Sequence, residues 1–235
     1  MIDLFITTYK REEVFRKSFE SLLDNTRRDL FRLTVVCDGS TKIADDLMSH
    51  IDYLLYTKEN EGLAPSVNKA LANIKVVNDY FDNNQSSFIC YCQDDVVYES
   101  GWLEKLIKVY SLFGKKYNVG FVSGHNAPEH HKTGEIQFGK DTLLLKPWIR
   151  ATNMFATREY FLSMFPIPRI DPETGKERGK PNNGLGSGVD WFLIRNHPDS
   201  VCRAGKINIV YPGLVKHFGY NKSTWLNRDL PEDER

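Results

Sequence analysis

Two adjacent carboxylates, Asp94 and Asp95, stand at the end of a run of apolar and aromatic residues, Phe88-Ile89-Cys90-Tyr91-Cys92-Gln93. Carboxylates side by side repel each other unless a cation neutralises them, and hard divalent cations prefer oxygen ligands. The chemistry this pair suggests is a metal site that holds a phosphorylated substrate. The competing reading is a strand-to-helix turn in which an Asp caps a helix near Trp102. An apolar, partly β-branched run bounded by polar residues reads as a buried strand. Such a strand delivers Asp94 and Asp95 at its carboxyl end, where open α/β sheets bind ligands.

The elements needed to position that pair are legible upstream. Strands are expected over residues 2–8, 31–37, 53–56 and 88–93. Helices are expected over 11–23, 43–49 and 65–80, the first with Val14, Phe15, Ser18, Phe19, Leu22 and Leu23 on one face. Gly62 breaks the chain, and Pro65 suits a first helical turn. Alternating strands and helices predict a parallel sheet covered on both faces. The strands end in Thr7-Thr8-Tyr9, Asp38-Gly39-Ser40 and Asp94-Asp95, which predicts one shared crevice. Further on, a helix is expected over 102–113, a strand over 119–123, and a hairpin or irregular strands within 127–146. A strand is expected over 149–155 and a short helix over 158–165. A Pro-, Gly- and Asn-rich loop over 166–187, a helix opening at Gly188 and a last strand over 207–211 complete the pattern.

The chain has 235 residues, 41% of them hydrophobic and 12% aromatic, enough for a sizeable core. Lys plus Arg and Asp plus Glu are equal at 31 each, so there is no global electrostatic footprint for nucleic acid or anionic membrane. The start lacks the basic and apolar regions of a signal peptide, and no apolar run is long enough to span a bilayer. A cytoplasmic location is therefore expected, soluble or peripheral at a membrane. The four cysteines, Cys37, Cys90, Cys92 and Cys202, lack zinc-like spacing and are expected to be buried thiols in a reducing compartment. One domain is expected over 1–235, with 1–98 and 99–225 as its two halves and 226–235 as a tail.

The order of motifs resembles the inverting glycosyltransferase family 2, which has the GT-A fold. Four segments carry the likeness: Thr7-Thr8-Tyr9-Lys10-Arg11, Val35-Val36-Cys37-Asp38-Gly39-Ser40, Asn60 to Leu71, and Gln93-Asp94-Asp95-Val96. The resemblance implies a single α/β domain with a central, mostly parallel, Rossmann-like sheet flanked by helices. It implies transfer of a UDP-linked sugar from a nucleoside diphosphate donor, bound by the half 1–98, to an acceptor hydroxyl, bound by the half 99–225, with inversion. By the same likeness Thr7, Thr8, Tyr9 and Arg11 would line the nucleotide pocket, with Asp38 accepting a hydrogen bond from the base. Asn60, Gly62 and Asn68 would lie near the nucleotide. Asp95 would ligate Mn²⁺ or Mg²⁺, with Asp94 beside it. Gln93 stands where the family usually has an acidic residue, and it would bind the ribose or coordinate weakly.

The resemblance further implies a catalytic base at Asp190, the one carboxylate kept from the family's Glu-Asp-x-Asp segment. Helix capping is its competing role, and Asp171, Glu173 and Glu177 are the spare carboxylates. His217 would be a second metal ligand, Lys222 would contact phosphate, and Trp191 would stack on an acceptor sugar. His125, His130 and His131 fall on the acceptor side. The acceptor would be a glycan, a lipid-linked sugar or another hydroxyl, with nucleic acid disfavoured by the neutral charge. Two other functions fit the same fold. A nucleotidyltransferase would need a Gly-rich loop after the first strand, and the segment Thr7 to Arg11 has no glycine. A non-catalytic nucleotide-sugar-binding module would be consistent with Gln93 and the incomplete base segment.

Overall fold

The computed structural model describes residues 1–39, 41–80, 86–171, 175, 188–189 and 192–218. At its centre is β1 (Ile2–Thr8), buried along its whole length. It pairs in parallel with β2 (Phe31–Cys37) on one side and β4 (Phe88–Gln93) on the other, and β3 (Tyr53–Tyr56) adds in parallel outside β2. Beyond β4 the direction changes: β9 (Asn153–Thr157) runs antiparallel between β4 and β6 (Val119–Ser123). Next come β10 (Ile207–Val210), parallel to β6, and the antiparallel hairpin of β7 (Gly134–Phe138) and β8 (Asp141–Lys146). The full order is β3-β2-β1-β4-β9-β6-β10-β8-β7.

Strand alternation divides the core into two layers. Leu4, Ile6, Leu33, Val35, Cys90 and Cys92 face α1 (Glu12–Asn25) and α4 (Trp102–Phe113), meeting Phe15, Phe19, Trp102 and Leu106. Phe5, Val36, Ile89 and Tyr91 face the opposite layer, with Val67, Leu71 and Ile74 of α3 (Leu63–Tyr80) and Phe161 of α5 (Arg158–Ser163). A short helix, α2 (Asp45–Met48), sits between β2 and β3.

Several expectations change. The strand expected over 149–155 lies at Asn153–Thr157 and is antiparallel to its neighbours. The helix expected from Gly188 does begin there, with Val189 helical and Phe192 N donating to Gly188 O at 3.2 Å, and continues as a π-turn at Phe192–Asn196. Cys202 is exposed, whereas Cys37, Cys90 and Cys92 are buried. The helix after Asp95 begins at Trp102 behind Gly101, with no side-chain cap. Neither aspartate caps it: both stand between β4 and β5 (Val96–Tyr98). That short strand pairs antiparallel with β11 (Val215–His217), forming a separate two-stranded ribbon.

Candidate active site

The register of the central strands brings the polar ends to one edge. Thr7 is opposite Gln93, and Thr8 is opposite Cys37. Alternation then separates the two threonines. Thr7 Oγ1 shares a hydrogen bond with Tyr91 on one face, at 3.3 Å. Thr8 Oγ1 donates to Asp94 Oδ2 on the other, at 2.8 Å.

Asp94 and Asp95 are 2% and 3% exposed, so their charges must be compensated locally. Arg11 does this with both ends of its guanidinium. Nη1 donates to Asp95 Oδ2 at 2.9 Å, and Nη2 donates to Asp94 Oδ1. The ribbon supplies a further group. His217 lies opposite Val96, and Phe218 N donates to Asp95 O at 3.0 Å. His217 Nε2 is thereby held 3.1 Å from Asp95 Oδ1. That oxygen is buried and has no aligned hydrogen-bond donor. Burial pushes Asp94 up to about 6, against the pull of Arg11. Burial also acts on Asp95, but His217 and Arg11 outweigh it and hold this carboxyl below the usual range.

A second carboxylate organises the neighbouring loop. Asp38 Oδ1 accepts from Thr57 Oγ1 at 2.7 Å and from Glu61 N at 2.9 Å, and its Oδ2 accepts from Gly62 N at 2.9 Å. Gly62, at φ +89°, holds a backbone conformation that other residues rarely adopt. Tyr9, Gly39 and Asn60 converge here: a Cβ on Gly39 would lie 3.2 Å from Asn60 N and 3.3 Å from Tyr9 Cε2. Thr57 was not singled out from sequence; its polar type directly after β3 is the signal that could have found it.

The side chain of Asn68 clamps the backbone of Ile167, donating to the carbonyl at 2.7 Å and accepting from the amide at 2.8 Å. The backbone amide of Gln93 donates to Thr152 O at 3.1 Å. His125 lies beside the ribbon, its ring centroid 6.2 Å from that of His217. Asp171, one of the spare carboxylates, is fully buried, with Asn196 Nδ2 3.5 Å from its Oδ2. Asp190, Trp191, Lys222, Glu173 and Glu177 lie outside the described residues.

Lys10 occupies the left-handed region at φ +52°, and its amide donates to Thr41 Oγ1 at 2.9 Å. A left-handed conformation costs an ordinary L-residue roughly 1–2 kcal/mol, and asparagine tolerates it better. Lys10→Asn is therefore expected to stabilise the protein by about 0.5–1 kcal/mol, read as a rise in the urea midpoint at unchanged slope. A fall in the midpoint would contradict this.

The surroundings of Asp95 suit a divalent cation. Its uncommitted oxygen and an imidazole nitrogen are donors that Mn²⁺-like ions accept. Adjacent ligands on an octahedral ion at about 2.1 Å are about 3.0 Å apart, close to the 3.1 Å seen here. Among the described residues no three His, Cys, Asp or Glu side chains form a ligand cluster. The protein would thus offer one carboxylate oxygen and one imidazole.

The family model for glycosyl transferase family 2 matches residues 3–167. The chain belongs to glycosyl transferase family 2. The matched span takes in Asp38, Gly62, Asp94 and Asp95 and ends before Asp190 and His217. Among solved structures, Staphylococcus aureus TarS is similar at 12% identity and TM-score 0.55, over 90% of this chain and 35% of that one. The mannosyltransferase PcManGT from Pyrobaculum calidifontis, in complex with GDP-Man and Mn²⁺, is similar at 14% identity and TM-score 0.56. That likeness covers 91% of this chain and 55% of the other. At such identities the likeness establishes the fold, a single domain with a large, mostly parallel central sheet between helices. The chain spans between about a third and somewhat over half the length of these structures. Comparison with curated proteins gives no match. Among the described residues no helix is long and apolar enough to cross a membrane.

Proposed function

We propose that this glycosyltransferase moves a sugar from a UDP-linked donor to an acceptor hydroxyl with inversion, using Mn²⁺ or Mg²⁺ held by Asp95 and His217. The observation that carries the reading is the approach of Asp95 Oδ1 and His217 Nε2 to 3.1 Å, with the carboxylate oxygen otherwise uncommitted. When bound, the cation would stabilise negative charge on the departing diphosphate. The complex of PcManGT with GDP-Man and Mn²⁺ supports the pairing of nucleotide sugar and cation on this fold.

The chain's own groups would do the rest. Asp38 fixes the loop that carries Asn60 and Gly62, so the base would meet a preformed surface beside Tyr9. With one hydrogen bond on Oδ2, Asp38 retains capacity to accept a ring N–H of the kind that uracil and guanine carry on their pairing edge and cytosine lacks. Thr8 and Arg11 hold the carboxylates in place. Asp190 would take the proton from the acceptor hydroxyl as it attacks the anomeric carbon in line, and Trp191 would stack on an acceptor sugar. Lys222 would meet phosphate oxygens, and the acceptor would be a glycan or lipid-linked sugar.

The test is a panel of nucleotide sugars, UDP- and GDP-linked, scored for Mn²⁺-dependent hydrolysis and transfer. Turnover of a UDP-sugar supports the proposal; binding without turnover of any donor would favour a non-catalytic module instead. Asp190→Asn is expected to lower kcat by about 10²–10³-fold while leaving nucleotide affinity within about twofold, the range that general-base removal gives. Weakened donor affinity with normal kcat would instead assign Asp190 a structural role.

A further inference from the structure

We infer that Arg11 makes uptake of the divalent cation depend on the nucleotide: the protein captures cation and nucleoside diphosphate together, not the free ion. This rests on the metal-dependent reading above and assigns Arg11 a positioning role within it. The inference follows from an account of four carboxylate oxygens. Asp94 Oδ2 accepts from Thr8, while Asp94 Oδ1 and Asp95 Oδ2 accept from Arg11. Only Asp95 Oδ1 lacks an aligned donor. An ion arriving alone would therefore meet one carboxylate oxygen and one imidazole nitrogen, with a fixed guanidinium beside them.

Charge points the same way. Two carboxylates and one guanidinium leave a net single negative charge, too little to neutralise a dication. The diphosphate supplies the missing negative charge and the missing oxygen ligands. Arg11 is poorly placed to withdraw. Its carbonyl accepts from Phe15 N at 2.8 Å at the start of α1, and its side chain is only 19% exposed. It can be held there because a planar fork matches two carboxylates in a way a lysine ammonium cannot. A charge within about 4–6 Å shifts proton affinity by one to three powers of ten, so its removal should alter affinity for a dication at least tenfold.

Equilibrium dialysis with Mn²⁺ tests this, with any nucleotide at equal concentration on both sides of the membrane. The wild-type protein is expected to retain little Mn²⁺ alone and to retain it stoichiometrically when UDP or GDP is present. Arg11→Gln, checked for folding by circular dichroism, is expected to bind Mn²⁺ alone at least about tenfold more tightly than wild type. Tight binding of Mn²⁺ by the wild type without nucleotide would overturn the inference, as would a folded Arg11→Gln protein that binds no more tightly. Should Arg11→Gln fail to fold, the two wild-type measurements decide on their own. Absence of retained Mn²⁺ in every arm, with nucleotide still bound, would overturn the metal-dependent reading together with this one.

Discussion

Asp95→Ala is expected to lower kcat/KM for transfer by about 10⁴-fold, roughly 5.5 kcal/mol of transition-state stabilisation. Asp95 contributes the one site oxygen left without an aligned donor, and His217 Nε2 lies 3.1 Å from that oxygen. Removing the carboxylate would remove the cation's anchor, so charge developing on the diphosphate would lose its counterion. The fold should survive. The substitution deletes a buried charge, and Arg11 keeps Asp94 as its partner. The measurement is steady-state kinetics at saturating Mn²⁺, with thermal unfolding as the control. More than a tenth of wild-type activity in Asp95→Ala would remove Asp95 from the reaction.

Asp3→Ala is expected to destabilise the protein by about 3–5 kcal/mol, the usual cost of breaking a buried ion pair from one side. Asp3 is 1% exposed at the start of β1, far from the polar strand ends. Its Oδ1 accepts from Arg32 Nε at 2.8 Å and lies 2.6 Å from Arg32 Nη2. Its Oδ2 accepts from Asn78 Nδ2 at 2.7 Å and from Ser86 Oγ. One carboxylate thus ties together β1, β2, the end of α3 and the segment that enters β4. Its loss leaves several buried donors short of an acceptor at once. For a chain of this size the melting temperature should fall by about 10 °C, with activity per folded molecule unchanged. A loss below about 1 kcal/mol would mean that the network contributes little.

The central strands were readable because each is an apolar run closed by polar residues. β1, β2, β3, β4 and β6 lie where periodicity put them. β9 was not, because nothing in Asn153-Met154-Phe155-Ala156-Thr157 tells the chain to enter the sheet in the opposite direction; its neighbours decide that. The ribbon of β5 and β11 was invisible for a related reason. Three residues carry no period, and their pairing joins segments more than a hundred positions apart. Proximity of Asp95 and His217 was therefore not derivable from spacing and entered only through the family resemblance.

Arg11 shows the limit most clearly. Its position in the opening motif suggested a nucleotide contact, yet its partners are 83 and 84 residues away. A carboxylate clamp of this kind is written in tertiary packing. Asn68 is similar: its side chain holds Ile167, 99 residues on, a contact its motif does not announce.

The most direct measurement is anomalous diffraction at the manganese edge from crystals grown with Mn²⁺ and UDP. The expected map has one ion bound to Asp95 Oδ1 and His217 Nε2, with diphosphate oxygens completing its shell. An ion and phosphates seated away from both side chains would contradict the proposed chemistry.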